Sequence, residues 1–273
     1  MMVNPSIGND ILQSIMYSSV MSAKRIICTN QKGGVGKTTT VVNLGAYLAE
    51  MGHKVLIIDL DSQGNLSSAV GIDTHQKGMY DVVVGSCTPQ EAYQATPVEN
   101  LTAIAGGLDL AGLSVELVNE LAREFFVKNA LEPIDNDWDY IIIDCPPSLG
   151  LLTINAMCWA QYTIIPMQCE YFAMEGLNQL MRTVSNVKKQ LNPHLEILGI
   201  LFTMYIKRTR LSKEVVADVT SYFKDLVFKT KILRNVRLSE APSYGLPINK
   251  YDASSTGASG YKALAKEVAQ RVR

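Results

Sequence analysis

Between Gln31 and Thr38 the chain reads QKGGVGKT, and these residue types at this spacing can hold phosphate. Gly33, Gly34 and Gly36 carry no Cβ, so backbone N–H groups around them can turn inward on an anion. Lys37 adds a full charge for the outer phosphates, and the Thr38 hydroxyl is placed to ligate Mg2+. Val35 and Thr39 belong to the same phosphate-binding stretch. The strict pattern G-x-x-x-x-G-K-[ST] would put glycine at position 31; here Gln31 stands there, with a second lysine, Lys32, beside it. Three carboxylates, Asp59, Asp61 and Asp144, fall at or just past the ends of apolar runs, where an open α/β sheet presents its ligands. Phosphoryl transfer needs Mg2+ opposite the phosphates and a water in line with the leaving oxygen. Any one of these aspartates could be a turn former or helix N-cap; the trio beside this loop points to chemistry.

The elements that must position these groups are legible around them. Lys24 to Thr29 is a short apolar run suited to a buried strand. Lys37 to Met51 carries Val41, Leu44 and Leu48 at helical spacing, with Gly52 as its C-cap, and Val55 to Asp59 is a second strand. Strand, glycine loop, helix and strand form the βαβ context that a phosphate loop requires. Further on, Asp61 to Asn65 is a turn-rich loop and Leu66 to Val70 a short helix. Val82 to Val84 and Pro89 to Tyr93 read as small helical pieces, and Leu101 to Ala105 as a strand. Helical periodicity runs from Gly112 to Leu131 through Leu113, Leu117, Leu121 and Phe125. Strands are expected at Tyr140 to Asp144, Tyr162 to Met167, Leu195 to Thr203 and Val227 to Ile232. Helices are expected at Thr153 to Ala160, Met174 to Leu191, Lys213 to Lys224 and Ser259 to Val272. Strands that are nearly continuous apolar runs, alternating with helices, predict a doubly wound, mostly parallel sheet with helices on both faces.

The motifs KGGVGKTT and LIIDLDSQGN, with DCPPSLG at 144–150, EYFAMEGL at 170–177 and RNVRLSEAPSYG at 234–245, carry a resemblance. From about Lys24 to the C-terminus the chain resembles the deviant Walker family of dimeric P-loop ATPases, and within it the ParA/Soj partitioning proteins. The resemblance implies a fold of the P-loop NTPase type with ATP and Mg2+ as cofactors. It implies that Asp61 orients or activates the attacking water and that Asp144 is the Walker B carboxylate. Asp59, two residues before Asp61, would support the Mg2+ shell. Lys32 would reach across a homodimer to phosphates bound by the partner, so that nucleotide state controls dimerisation. Pro242, in the loop to Gly245, would help close the adenine pocket. The expected role is an ATPase of slow, partner-stimulated turnover. Its ATP dimer would bind double-stranded DNA without sequence preference, under a ParB-like partner, in the cytoplasm on the nucleoid.

Charge is consistent with such a partner. The net charge of −1 conceals a polarity. Residues 1–181 hold 8 Lys/Arg against 19 Asp/Glu, and residues 182–273 hold 17 against 7. Lys207, Arg208, Arg210 and Lys213 form one basic cluster; Lys229, Lys231, Arg234 and Arg237 form another. By resemblance Arg208 and Arg237 match arginines that hold DNA backbone, and Arg210 and Arg234 are their neighbours. The clusters lack interleaved aromatic residues, and no helix-turn-helix precedes the core, so phosphate contacts should dominate. A basic surface that merely solvates helices is the competing reading. Five cysteines without C-x-x-C spacing read as reduced thiols, and three scattered histidines suggest no metal cluster.

Residues 1–23 match nothing in the family pattern. Ile7, Ile11, Leu12, Ile15, Met16 and Val20 recur at roughly helical spacing, so the extension is a dispensable tail, the product of a start codon upstream of the methionine at 21, or a helix contacting a partner or membrane. No apolar stretch is long enough to span a bilayer, and no stable membrane association is expected. A membrane-cycling relative of the MinD type would need a terminal amphipathic helix, and GYKALAKEVAQRVR offers only Tyr261, Leu264 and Val268 among alanines. An iron-cluster relative of the nitrogenase type would need cluster cysteines at the dimer axis, a context that Cys145 and Cys169 do not match.

Overall fold

The computed structural model describes residues 22–171 and 173–272; the helix expected within 1–23 falls almost wholly outside them. Among the described residues seven strands form one sheet: β1 Lys24–Cys28, β2 Val55–Asp59, β3 Tyr93–Ala95, β4 Leu101–Ile104, β5 Tyr140–Asp144, β6 Tyr162–Gln168 and β7 Glu196–Thr203. Their spatial order is β3-β4-β2-β5-β1-β6-β7, and all neighbours are parallel except the β3–β4 pair. The chain winds outward from β1 in both directions, so the carboxyl ends of β1, β2 and β5 meet at the switch point, where open sheets bind ligands. Register is set there by strand pairing: Cys28 and Asp59 each sit opposite Asp144.

The inner strands are apolar on both sides because both sides are covered. Alternate residues divide between two cores, Ile27, Ile58 and Ile143 facing one and Ile26, Ile57 and Ile142 the other. The first core is covered by α3 (Met79–Val84), α4 (Leu110–Glu116), α5 (Phe126–Leu131), α6 (Leu151–Trp159) and α7 (Ala173–Gln190). The second is covered by α1 (Lys37–Glu50), α2 (Asn65–Ala69) and α11 (Thr256–Arg271). Because α11 lies over α1, that helix is buried almost all round from Thr40 to Ala49. Full burial of Leu44 and Leu48 contributes about 1.5–3 kcal/mol each. Tyr261, Leu264 and Val268 are buried in this contact, so the apolar face that a membrane-lying C-terminal helix would need is already occupied.

Several elements depart from the sequence reading, each for a tertiary reason. The single helix expected over 112–131 is broken: α4 ends at Glu116, a 3-10 turn covers Leu117–Asn119, and α5 begins at Phe126. Ala122 takes a left-handed φ of 54°, and Leu121 is 93% exposed. The buried Asn155 diverts the segment, donating to the Arg123 carbonyl and accepting from Val127 N–H. No strand forms over 227–232. Single bridges join Ile200 to Val227 and Tyr205 to Leu233, while the N–H groups of Lys229 and Thr230 donate to the Glu267 carboxylate. The edge strand β3 has no counterpart in the sequence reading, nor have the short helices α9 (Val236–Glu240) and α10 (Ile248–Tyr251). Helix α8 (Arg210–Phe223) starts three residues early, which puts Arg210 in its first turn.

Candidate nucleotide site

The phosphate loop leaves β1 and enters α1 with Gly34 at φ 71° and Gly36 at φ 87°, left-handed conformations that glycine adopts without penalty. A Cβ on Gly34 would meet nothing within 4 Å, so backbone conformation alone requires the glycine there. The loop's shape is held from outside by polar side chains at strand ends. Asn30 accepts from Lys32 N–H at 2.9 Å, Thr203 Oγ1 donates to the Val35 carbonyl at 2.7 Å, and Gln168 Nε2 donates to the Gly34 carbonyl at 2.7 Å. With these carbonyls bound outward, the amides are left for an anion, reinforced by the N-terminus of α1. Thr40 Oγ1 donates to the Gly36 carbonyl at 2.7 Å and lies 3.2 Å from the hydroxyl of Tyr261, which braces this turn from α11.

A cleft of about 410 Å³ opens over the loop, lined by Gly33, Gly34, Gly36, Lys37, Thr38 and Thr39 on the phosphate side. Asp61 and Pro147 also line it, and Val42, Ala69, Leu238, Pro242 and Leu246 supply an apolar lining fit for a nucleobase. A groove of about 890 Å³ between α7, the start of β7 and the end of α8 carries neither the loop nor the carboxylates. Lys37 is buried, its Nζ 3.4 Å from the Lys32 carbonyl. Lys32 and Val35 do not line the cleft. The Val35 side chain is buried behind the loop, and Lys32 stands half exposed at the rim, ion-paired with Glu170.

The structure brings the three aspartates together. Thr38 Oγ1 donates to Asp144 Oδ2 at 2.5 Å, whereas Asp144 Oδ1 is buried without a hydrogen-bond partner. An unpaired buried carboxylate oxygen beside a threonine hydroxyl fits a cation or its water. Asp59 is buried and accepts from Asp61 N–H through Oδ1 and from Ser67 N–H and Oγ through Oδ2, so it fixes the turn that presents Asp61. Burial pushes the Asp59 carboxyl up to about 6 despite the two Ser67 hydrogen bonds. Asp144 is raised well above the usual carboxylate range, by burial first and by Asp59 second. This concentrated, desolvated negative charge favours a divalent cation. Among the described residues no group of three or more His, Cys, Asp or Glu is arranged to hold a metal alone.

The four arginines do not line the cleft. Arg208 and Arg234 are exposed; Arg210 pairs with Glu214, and Arg237 with Glu240 and Asp252. Sequence reasoning missed Ser67, Thr203, Gln168 and Gly106, whose missing Cβ would lie 2.8 Å from the Asp61 carbonyl. Thr203 and Gln168 carried one signal, a polar residue ending an apolar run, the same signal that marked Asp144.

Fold and site define a P-loop nucleotide-binding protein. A family model described as an AAA domain matches residues 23–197. The chain is 52% identical to the chromosome-partitioning ATPase Soj of Treponema pallidum, over 91% of this chain and 98% of that one. It is 54% identical to the sporulation initiation inhibitor protein Soj of Bacillus subtilis, over 90% and 98%. Among solved structures, a cobyrinic acid a,c-diamide synthase of Mycobacterium smegmatis with bound ATP analog and magnesium superposes with a TM-score of 0.78 at 38% identity, over 89% and 93%. The cell division ATPase MinD of Pyrococcus furiosus gives a TM-score of 0.74 at 25% identity, over 90% and 99%. This chain belongs to the ParA/Soj family of partitioning ATPases.

Proposed function

We propose that the chain is a nucleotide-switched DNA-partitioning ATPase. Two ATP-loaded copies close face to face, the dimer holds double-stranded DNA without sequence preference, and a ParB-like partner stimulates the slow hydrolysis that releases it. The observation that carries this reading is the division of labour between the lysines. Lys37 lies in its own cleft, whereas Lys32 stands at the exposed rim, where a neighbouring molecule's phosphates could be reached. Two triphosphates brought together repel strongly, and a cation lent by each subunit offsets that charge only when both are loaded.

Within each cleft, the loop amides and Lys37 bind and orient the phosphates. Thr38 and Asp144 would hold Mg2+, with Asp59 supporting that shell by fixing the turn beside it. The metal, when bound, neutralises charge on the phosphates and so favours departure of the leaving oxygen. Asp61 lines the cleft and orients the attacking water. Pro242 closes the base pocket. Arg208, Arg210, Arg234 and Arg237 contact DNA phosphates, so the loaded dimer resides on the nucleoid; among the described residues no helix is long and apolar enough to cross a membrane.

The test is light scattering on Asp61→Ala with saturating ATP and Mg2+. A lasting dimer is expected, because the γ-phosphate can no longer be removed. A variant that binds ATP and stays monomeric overturns the reading.

A further inference from the structure

We propose that Gln168 is a positioning residue that couples the phosphate loop to both DNA-contacting segments, an inference that rests on the DNA-binding reading. The residue closes β6, and its carboxamide uses both N–H bonds. Nε2 lies 2.7 Å from the Gly34 carbonyl and 3.1 Å from Met204 Sδ. One group therefore touches the nucleotide loop and the first residue after β7 at once.

The chain beyond Met204 gives this contact its reach. Tyr205 N–H donates to the Ile232 carbonyl at 2.9 Å, and Arg234 N–H donates to the Tyr205 carbonyl at 3.1 Å. Arg208 and Arg210 lie just beyond Tyr205 on one strand of that bridge. Arg234 sits on the other, with Asn235 next to it capping α9 by accepting from Arg237 N–H at 2.8 Å. Both basic segments thus issue from one backbone junction, and that junction is tied to the phosphate loop through Gln168.

The junction is held in a strained conformation. Met204 is held at φ 49°, a left-handed conformation that a residue with a side chain keeps only when its surroundings impose it. The residue is 41% exposed, so close packing does not hold it there; the Gln168 bond and the Tyr205 bridge do. If the loop shifts its Gly34 peptide on phosphate binding, the Gln168 amide must move with it or release. Met204 can then relax, and the arginines move with it. Nucleotide and DNA bias one bistable turn, which is the physical requirement for coupling two sites.

The test compares wild type with Gln168→Met, which keeps the length of the side chain and removes both donors. DNA affinity is measured by fluorescence anisotropy with ATP and with ADP, and ATP-driven dimerisation is measured by light scattering on the same samples. The wild-type ATP-to-ADP affinity ratio should fall about fivefold in the variant, the weight of one neutral hydrogen bond. By linkage, the enhancement by DNA of ATP affinity over ADP affinity should fall by the same factor, whereas simple loss of stability would weaken binding with either nucleotide and leave the ratio unchanged. An unchanged ratio in a variant that still dimerises overturns the role of Gln168 and leaves the DNA-binding reading intact. A wild-type protein whose DNA affinity ignores nucleotide overturns both.

Discussion

Gly106→Ala tests how tightly the turn that presents Asp61 is built. Gly106 is not in the left-handed region, so its glycine is needed for space rather than for backbone freedom. An added Cβ would lie 2.8 Å from the Asp61 carbonyl oxygen and 2.9 Å from both Asp59 Cγ and the Asp59 carbonyl oxygen. Ordinary contact would require the turn to retreat by roughly 0.5 Å, and overpacking of this kind costs about 1–3 kcal/mol. The Asp59 bonds to Ser67 and to Asp61 N–H must absorb that movement, so Asp61 shifts relative to the phosphate loop. Misplacement by about 1 Å costs on the order of 100-fold in rate, so half that distance predicts about a tenfold fall in hydrolysis. The loop itself is untouched, and nucleotide affinity should stay within twofold of wild type (roughly 0.4 kcal/mol). Single-turnover hydrolysis at saturating ATP and Mg2+, beside fluorescent-nucleotide binding, reads both quantities. Gly107→Ala is the internal control, since its Cβ would meet only the Thr74 carbonyl at 3.9 Å. Wild-type turnover in Gly106→Ala, or an equal loss in Gly107→Ala, would refute the reasoning.

The same geometry sets three further outcomes. Lys37→Ala removes a buried charge-assisted contact and should weaken ATP binding by about 100-fold, measured by calorimetry. Arg237→Ala should lower DNA affinity while ATP-driven dimerisation survives, because exposed ion pairs such as those with Glu240 and Asp252 contribute little to folding. If the dimer neutralises about four phosphates, the slope of log K against log salt should move from roughly −3.6 to roughly −1.8. Folding raises the Asp59 carboxyl to about 6, so its contribution to stability is fully present below about pH 4 and is lost as pH rises through 6. Thermal melts of the ligand-free protein should therefore show wild type losing stability relative to Asp59→Asn between those values, by at most about 3 kcal/mol; a constant difference would contradict the burial argument.

Much of this molecule is dictated locally. QKGGVGKT needs only glycine dihedrals and a helix after it to become a phosphate loop, and both are properties of neighbouring residues. The apolar runs ending at Asp59 and Asp144 mark parallel strands because only a doubly covered sheet can bury them, and strand ends fix where those carboxylates emerge. Which strands lie side by side is a different matter. The pairing of Asp59 with Asp144 depends on β5 inserting between β1 and β2, a choice made by packing across more than 80 positions of chain. Long-range polar capture decided the rest. Asn155 breaks a periodic helix, Glu267 takes the amides of a would-be strand, and Thr203 and Gln168 reach back to a loop more than 130 residues earlier. A buried polar group must find a partner wherever the fold offers one, and no spacing along the chain records which partner that will be.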